Sequence, residues 1–254
     1  MHLPFNFFLA QVPARDPAAM KEAVEKVERA SGGRWPSLVL SNHDIDRACD
    51  RFAGNDDPDA VARLLATLLL TLRGTPFLYY GEEIAMRTDP PRSIDEVRDP
   101  VGRRFWPAYK GRDGVRRPMQ WSRAPGAGFT RGTPWLSLSG DSGARNVEAQ
   151  DADQASILGF YRSLLRLRRD NHALASGVYE GLDPGPGILA YTRTNGGQRL
   201  VVVLNFTSEV REMTGLPVDA SAATVLLGTH RAAGDRASVQ PLRLRPLESV
   251  ILQG

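Results

Sequence analysis

The first 170 residues alternate between short apolar runs and longer segments with helical periodicity, and this alternation constrains the fold most strongly. Three short apolar runs have the length and composition of strands: residues 2–10, 37–40 and 77–80. Three further segments carry apolar side chains at helical spacing: residues 17–30, 59–72 and 154–169. Strands that alternate with helices predict an α/β fold with a parallel sheet and right-handed crossovers.

Beyond residue 170 the spacing of apolar residues changes from helical to alternating. Four segments with this period predict strands: residues 187–193, 200–206, 223–227 and 249–252. Asn195, Gly196 and Gly197 lie between the first two segments and predict a tight hairpin turn. Residues 171–254 are therefore predicted to form an antiparallel β-sandwich domain that follows a first domain of residues 1–170.

Residues 83–153 interrupt the alternation of strands and helices. This stretch is rich in Pro, Gly, Arg and Trp, and it is too long for an ordinary connection. Trp121, Phe129 and Trp135 are among its large aromatic residues, which favour an ordered loop that packs. The same rings could stack on sugar faces, although packing of the loop is the preferred interpretation.

Polar residues that follow the second predicted strand are the first candidates for chemistry. Asn42, His43, Asp44 and Arg47 come directly after its apolar run. In a barrel of alternating strands and helices, reacting groups lie on the turns after the strands. A carboxylate there can face developing positive charge, and an imidazole can hydrogen-bond a hydroxyl. A capped loop is the alternative, because Asn and Asp are common turn formers.

Composition and charge exclude several functional classes. The 254 residues carry a net charge of +3 without a dense basic run among aromatics, so nucleic-acid binding is not indicated. No apolar run reaches the roughly 18 residues of a membrane span, and the first residues do not read as a signal peptide. A lone Cys49 fits a reducing compartment, so a cytoplasmic protein without membrane contact is expected.

Three motifs together carry a resemblance to a known family. They are Asn42-His-Asp44, the run Gly74-Thr-Pro-Phe-Leu-Tyr-Tyr-Gly-Glu-Glu83, and the run Gly111-Arg-Asp-Gly-Val-Arg-Arg-Pro-Met-Gln-Trp121. In this combination the chain resembles the alpha-amylase family of glycoside hydrolases, above all its alpha-glucosidase and oligo-1,6-glucosidase branch. The resemblance implies that residues 1–170 are the last three strand–helix units of a TIM (β/α)8 barrel. The five earlier units would then precede Met1.

The resemblance also implies roles for three residues. Asp44 matches the family's aspartate that stabilises the transition state, and His43 matches a histidine that hydrogen-bonds sugar hydroxyls. Arg112 matches an arginine that fixes the terminal glucose. Without the resemblance, a surface ion pair between Arg112 and its neighbour Asp113 is an equally good interpretation.

Three further residues are expected to support this site. Asn42 lies beside the His-Asp pair, Arg47 would brace the loop by a salt bridge, and Asp113 would orient the guanidinium of Arg112. Relatives in the family have Gln-Pro where this chain has Ile45 and Asp46. Contacts behind the site could therefore differ from those of the family.

The bond-breaking residues of the family match nothing in this chain. A retaining glycosidase uses a nucleophile and an acid/base about 5 Å apart, and in the family they follow the fourth and fifth strands. Glu82 and Glu83 follow a later strand, where the family uses this pair for loop structure. Neither a metal nor a cofactor is expected for this chain.

Two classes of function follow from these observations. In the first, the chain is the C-terminal part of an alpha-glucosidase-like retaining hydrolase of short alpha-glucosides, inactive without the missing N-terminal barrel half. A trehalose synthase or transglycosylase of the same family is a variant of this class. In the second, it is a non-catalytic carbohydrate-binding or partner protein. A reading frame for five barrel units upstream of Met1 would favour the first.

Overall fold

The computed structural model describes residues 3–219 and 223–254. Its α-helices are α1 (Pro17–Ser31), α2 (Ala48–Ala53), α3 (Pro58–Thr71), α4 (Pro100–Phe105), α5 (Val147–Asp151), α6 (Ile157–Asp170) and α7 (His172–Ser176). Its strands are β1 (Ser37–Val39), β2 (Thr75–Phe77), β3 (Val178–Gly181), β4 (Ile188–Asn195), β5 (Gln198–Asn205), β6 (Arg211–Met213), β7 (Thr224–Gly228), β8 (Leu242–Leu244) and β9 (Ser249–Gln253). The three predicted helices are confirmed as α1, α3 and α6.

The chain divides into two compact units. The sheet unit comprises residues 1–40, 63–77 and 162–254, and it contains every strand. The loop unit comprises residues 41–62 and 78–161, and it contains the polar motif after β1 and the long loop. The predicted domain boundary near residue 170 follows the change from parallel to antiparallel strands and stays a prediction.

The sheet unit contains a parallel pair formed by β1 and β2. Pairing runs from Ser37 opposite Thr75 to Val39 opposite Phe77. Gly74 precedes β2 with φ +136°, and a Cβ there would lie 2.9 Å from both Leu38 Cγ and Pro36 O. Only glycine lets the chain pass so close to β1 in this conformation. The predicted parallel sheet is thus confirmed for two strands, although β2 ends at Phe77 and not at Tyr80.

The strand predicted at residues 2–10 is wrong for residues 3–10, and His2 lies outside the described residues. Asn6 N donates to Ser37 Oγ (3.0 Å), and Ser37 Oγ donates to Pro4 O (2.6 Å). Gln11 N donates to Phe7 O (2.9 Å), which closes a turn. One serine hydroxyl therefore joins this segment to β1 in place of a backbone ladder, because Pro4 has no N–H to donate.

The antiparallel region forms a five-stranded sheet in the order β3-β4-β5-β9-β7 and a two-stranded sheet of β6 and β8. The hairpin between β4 and β5 turns at Gly196 (φ +56°) and Gly197 (φ +86°), as predicted. Both sheets contribute to one apolar core: Ile188, Ala190, Val201, Val203, Met213, Val225, Leu242, Leu244, Val250 and Leu252. The prediction of antiparallel structure with an alternating core is confirmed.

The opposite face of the five-stranded sheet is buried as well. Tyr191 and Thr71 share a hydrogen bond between their hydroxyls, and Thr67 and Ser249 share another of 2.8 Å. Arg193 is fully buried, and it donates to Thr71 O, to Leu174 O (3.0 Å) and to Gly177 O (2.9 Å). Burial lowers the pKa of Arg193 to about 10. Helices α3 and α7 thus cover a face that carries polar side chains with partners.

Buried polar anchors order the long loop of the loop unit. Arg117 donates to Asp89 O (2.7 Å) and Ser137 O (3.0 Å), and Gln120 donates to Asp141 Oδ1 (3.0 Å). The expectation that its aromatic residues pack the loop is wrong for four rings, since each has at least half of its surface exposed: Phe105, Trp121, Phe129 and Trp135. Hydrogen bonds from interior side chains to loop carbonyls fix the backbone and leave these rings outside.

None of the helices in residues 3–219 and 223–254 is long and apolar enough to cross a membrane.

Candidate active site

The loop after β1 presents Asp44 through a local hydrogen bond. Asn42 Oδ1 accepts from the backbone N of Asp44 at 2.8 Å, which is an Asx turn. Ser41 Oγ accepts from Ala48 N (3.0 Å), at the start of α2. Asn42 thereby holds the backbone of this loop, and the side chains of His43 and Asp44 stay accessible, with 65% and 47% of their surface exposed.

The Asp44 carboxylate is held by two arginines through a single oxygen. Arg112 Nη1 and Arg116 Nη2 each donate to Asp44 Oδ1 at 2.9 Å. Asp44 Oδ2 lies 3.4 Å from His43 Nε2. Desolvation alone would raise the pKa of Asp44, but the hydrogen bonds and charges of Arg112, His43 and Arg116 outweigh it and lower that pKa. Asp44 is therefore an oriented anion at neutral pH.

Arg112 is in turn positioned by Asp99. Asp99 Oδ2 accepts from Arg112 Nε (2.7 Å) and from its backbone N (2.9 Å), and Oδ1 accepts from Nη2 (3.0 Å). This two-point contact matches the planar fork of a guanidinium. Hydrogen bonding to Arg112 holds the pKa of Asp99 well below its usual range, and the same bonds raise the pKa of Arg112. Asp99 has no exposed side-chain surface, so Arg112 extends from a fixed base towards Asp44.

Close backbone contact allows Asp99 to reach Arg112. Asp99 is the N-cap of α4 and accepts from Val101 N at 3.1 Å. A Cβ at Gly102 would lie 2.8 Å from Gly111 Cα, and a Cβ at Gly111 would lie 3.0 Å from Asp99 Cβ. Gly111 also has φ +80°. Gly111, which opens the Gly-Arg-Asp-Gly motif, therefore brings Arg112 against the N-terminal end of α4.

The two remaining supporting residues act differently from the predictions. Asp113 Oδ2 accepts from the backbone N of Arg98 (2.6 Å) and of Asp99 (2.9 Å), so Asp113 positions Asp99 and does not orient Arg112 directly. Arg47 donates to Tyr80 O (2.8 Å) and Val115 O (3.2 Å) in place of the expected salt bridge.

Arg47 is almost fully buried, with 1% of its surface exposed. Its guanidinium carbon lies 5.1 Å from the ring centre of Tyr79 and 5.2 Å from that of Tyr80. The guanidinium of Arg47 lies above two aromatic faces and donates to backbone carbonyls. These contacts replace a carboxylate partner. Arg47 therefore braces the loop after β1 against the segment after β2.

Glu82 occupies a structural position close to this brace. Its carboxylate accepts from Tyr79 N at 3.0 Å and is hydrogen-bonded to Ser41. Burial raises the pKa of Glu82, while these hydrogen bonds and the charge of Arg47 oppose the rise. The prediction that Glu82 serves loop structure agrees with these contacts.

Two clefts adjoin the Asp44 cluster in the loop unit. Asp44 and Arg112 line one cleft of about 450 Å³, together with the charged residues Asp46 and Lys110. Arg116, which binds Asp44, lines a second, mainly apolar cleft of about 470 Å³. In the described parts of the chain, no three His, Cys, Asp or Glu side chains are grouped to hold a metal ion. The arrangement can hold a polar, uncharged or cationic ligand against an oriented carboxylate.

Sequence reasoning missed Asp99 and Arg116. Arg116 Nε donates to His43 O (2.8 Å) while Nη2 binds Asp44, so one side chain fixes both residues. Arg116 follows Arg112 by four positions in the same motif, and this spacing could have indicated that both arginines serve one site. The pair Asp99-Pro100 is a typical helix start, but its contact with Arg112 depends on the folding of the long loop.

Two family profiles match successive parts of the chain. The profile of the alpha amylase catalytic domain matches residues 6–177, and that of a beta-galactosidase C-terminal domain matches residues 187–254. A probable alpha-glucosidase of Rhizobium meliloti (strain 1021) is 37% identical over 210 residues, which are 82% of this chain and 38% of that protein. The oligo-1,6-glucosidase of Bacillus cereus is 35% identical over 255 residues, with 92% and 45% covered.

Comparison with solved structures also matches the chain to part of a longer protein. The trehalulose synthase MutB of Pseudomonas mesoacidophila MX-45 matches with a TM-score of 0.86 and 29% identity, over 100% of this chain and 51% of that one. The chain thus spans about two fifths of the length of the curated relatives and half of that structure. Because the catalytic-domain profile covers most of the chain, the chain belongs to the alpha-amylase family of glycoside hydrolases.

Proposed function

We propose that this chain is the substrate-holding part of an alpha-glucosidase-like retaining glycoside hydrolase that acts on short alpha-glucosides. The observation that carries the proposal is the Asp44 carboxylate, which is fixed by Arg112 and Arg116 through Oδ1. Its other oxygen is left to face a ligand beside His43. A fixed carboxylate stabilises an oxocarbenium-like transition state without having to reorganise during the reaction.

Charge balance supports this role. Asp44 and Asp99 offset the positive charges of Arg112 and Arg116, so the cluster is neutral overall. A neutral sugar ring gains little from a charge beside it, whereas a ring that develops positive charge is stabilised by the nearest charge, on Asp44. His43 would hydrogen-bond a hydroxyl of the same ring, and Arg112 would fix the terminal glucose.

The proposal assigns residues 1–170 to the last three strand–helix units of a TIM (β/α)8 barrel and residues 171–254 to a C-terminal sandwich. The parallel pair β1–β2 and helices α1, α3 and α6 supply two strands and three helices of these units. Residues 3–10, which form no strand in this chain, would have to supply the third strand. In this assignment the nucleophile and the acid/base belong to a barrel half that the chain does not contain. The enzyme would be cytoplasmic, as its single cysteine predicts.

Two alternative functions could use the same site. A non-catalytic carbohydrate-binding protein would use the Asp44 cluster for binding alone. A sugar-transferring enzyme of the family would use it for the same transition state, and the likeness to a trehalulose synthase favours this variant. The products formed by a complete protein from maltose, isomaltose, sucrose and trehalose would separate hydrolysis from transfer.

The test is binding of 1-deoxynojirimycin, which has the hydroxyl pattern of glucose and a protonated ring nitrogen. We expect the purified chain to bind it in calorimetry at pH 7, because Asp44 can pair with the ring cation. Asp44→Asn should weaken binding by at least about tenfold, which is the loss of one charge-assisted contact.

Asp95→Asn is the matched control, since it removes the same charge at an exposed position of the loop unit that lines neither cleft. It should change the binding of 1-deoxynojirimycin less than twofold to threefold, by roughly the size of a screened surface charge. Equal losses in the two variants, or equal binding by Asp44→Asn and the parent chain, would contradict the proposed function.

A further inference from the structure

Glu82 is a titratable residue of the loop unit that the proposed function leaves unused. It begins a short 3-10 turn, Glu82–Ile84, in the segment after β2, and it is partly buried. Its carboxylate accepts from the backbone N of Tyr79 at 3.0 Å and from the hydroxyl of Ser41. Tyr79 belongs to the segment after β2, whereas Ser41 belongs to the loop after β1. One carboxylate therefore joins these two segments.

The hydroxyl of Ser41 connects Glu82 to the turn that presents Asp44. Ser41 Oγ accepts from Ala48 N at 3.0 Å and donates its single hydrogen to Glu82. Asn42 follows Ser41 directly, and its side chain accepts from Asp44 N at 2.8 Å. Glu82 thus holds the residue at which the Asp44 loop begins.

Both contacts of Glu82 favour its ionised form. A carboxylate only accepts hydrogen bonds, and its two partners here, a backbone N–H and a serine hydroxyl, are donors. Hydrogen bonds to a charged acceptor are roughly twice as strong as those to a neutral one. Protonation weakens both bonds and adds a hydrogen that needs an acceptor, while Ser41 Oγ already accepts from Ala48 N. The loop after β1 is therefore held more firmly when Glu82 carries its charge.

The surroundings of Glu82 make this charge costly. Burial is the main cause that raises the pKa of Glu82, and the charge of Glu83 adds to it. The hydrogen bonds and the charge of Arg47 oppose the rise. The titratable and charged groups that face Glu82 come from its own segment, from α2 with the residue before it, and from α6: Tyr79, Glu83, Arg47, Cys49, Arg51 and Tyr161.

Glu82 and Asp44 consequently take up protons in different pH ranges. Burial raises the pKa of the Cys49 thiol to about 12 and that of Tyr161 well above its usual value, so both stay neutral. The pKa of Glu82 lies above its ordinary value of 4.5. Hydrogen bonds and charges outweigh desolvation at Asp44 and keep its pKa below 3.8. As pH falls from 7, Glu82 is therefore protonated while Asp44 is still an anion.

We propose that Glu82 is a positioning residue of the Asp44 site: its charge fixes the start of the loop through Ser41, and its protonation loosens the turn that presents Asp44. This inference rests on the proposed function, because the site it adjusts is the one assigned to the terminal glucose. Glu82 does not touch the sugar and acts only through Ser41 and Asn42. Ligand binding thereby becomes sensitive to pH in a range where Asp44 itself does not titrate.

The experiment compares the parent chain with Glu82→Gln from pH 7 to about pH 4. Glutamine has the shape of a protonated glutamate and takes up no proton. Calorimetry gives the dissociation constant of 1-deoxynojirimycin for both chains, and the ratio at each pH cancels the titration of the ligand. We expect the variant to bind about fivefold more weakly at pH 7, the size of one weakened charge-assisted contact. The ratio should fall to one as Glu82 of the parent is protonated.

Two further measurements separate positioning from a structural role. The melting temperature of Glu82→Gln should not fall at pH 7, because the substitution removes a charge whose burial costs stability above its raised pKa. In the ligand-free chain, the amide NMR signal of Asp44 should shift with a midpoint above pH 4.5 in the parent, and this shift should be absent from Glu82→Gln. Glu148→Gln is the control, because Glu148 is exposed and lines neither cleft. It should match the parent in all three measurements.

The inference is overturned by any of three results. A ratio of one at pH 7 shows that the charge of Glu82 does not serve binding. A loss of binding that is the same at every pH, above all with a lower melting temperature, makes Glu82 a structural residue only. An Asp44 signal that titrates alike in parent and variant shows that Glu82 does not act on the turn. A parent chain that binds no 1-deoxynojirimycin contradicts the proposed function instead, and the Asp44 signal then decides whether Glu82 positions the loop.

Discussion

The five-stranded antiparallel sheet and the two-stranded parallel sheet differ in how completely their side chains are covered. In the described part of residues 178–254, the only exposed large apolar side chains are Val178 and Val210. Within the sheet unit, five large apolar side chains are exposed in residues 3–8 and in β2: Leu3, Phe5, Phe7, Phe8 and Phe77. Phe5 lies edge to face against both Phe7 and Phe77, with ring centres 5.1 and 5.0 Å apart.

This difference in coverage separates a sheet that is covered on both faces from a sheet that is not. Antiparallel sheets tolerate water on one face, yet here both faces of the five-stranded sheet are covered by the chain's own elements. Parallel sheets are normally buried on both faces and contain more than two strands. In the proposed barrel, further strands would bury the aromatic group beside β1 and β2.

Hydrogen exchange should show the largest contrast between the two sheets. Amides in the centre of β4, β5 and β9 should open only with the whole sheet unit, because each strand is paired on both sides. Amides of Leu38, Val39 and Phe77 should exchange at least about a hundredfold faster, since local opening breaks a pair of three-residue strands. Equal protection in the two sheets would contradict the comparison and show that the parallel pair is stable alone.

Arg193→Ala should cause the next largest effect, in the complete sheet. It removes the donor for the carbonyls of Thr71, Leu174 and Gly177 and leaves a cavity, at a cost of about 3 kcal/mol or more in unfolding free energy. The melting temperature should fall by about 6–12 °C.

Arg199→Ala, at an exposed position on β5, is the control for Arg193→Ala and should stay within about 2 °C of the parent chain. A similar fall of the melting temperature in both variants would contradict this prediction. It would mean that loss of any arginine from this sheet destabilises the chain, and that the buried carbonyl contacts are not the cause.

Asp99→Asn should produce the smallest effect on stability and one that depends on pH. The folded-state pKa of Asp99 lies below its ordinary value of 3.8, so the stability it contributes is present above that value and is lost as pH falls through the folded-state pKa. The melting temperatures of variant and parent should therefore differ at pH 7 and converge in strong acid. A difference that is constant from pH 7 to pH 2 would exclude the Asp99–Arg112 pair as its cause. Asparagine retains the N-cap of α4, which isolates the charge.

Periodicity in the sequence was sufficient for three long helices and for the antiparallel strands β4, β5, β7 and β9. The apolar stripes of α1, α3 and α6 and the Asn-Gly-Gly turn are local signals, and each was predicted correctly. The strand predicted at residues 2–10 failed because a strand exists only when a neighbour accepts its hydrogen bonds, and the aromatic residues there signal only a preference. The short strands β6 and β8 were missed because three residues are too few to show a period.

The motifs marked Asn42, His43, Asp44 and Arg112, and the structure brings these four residues together in one cluster of the loop unit. Their roles in a site stay predictions. Asp113 was predicted to hold the guanidinium of Arg112, yet its carboxylate accepts from the backbone N of Arg98 and Asp99. Asp99 holds the guanidinium instead. Such contacts depend on the path of the long loop and cannot be read from spacing.

We expect that this chain holds a substrate but does not break the glycosidic bond. Turnover of 4-nitrophenyl alpha-glucoside by the purified chain measures this directly. The fixed Asp44 carboxylate can stabilise positive charge, but no nucleophile or acid/base partner is assigned to this chain, so the covalent step and leaving-group protonation are both missing. The account predicts release of nitrophenol no faster than with Asp44→Asn or with buffer alone. Turnover by the parent chain that Asp44→Asn abolishes would contradict it.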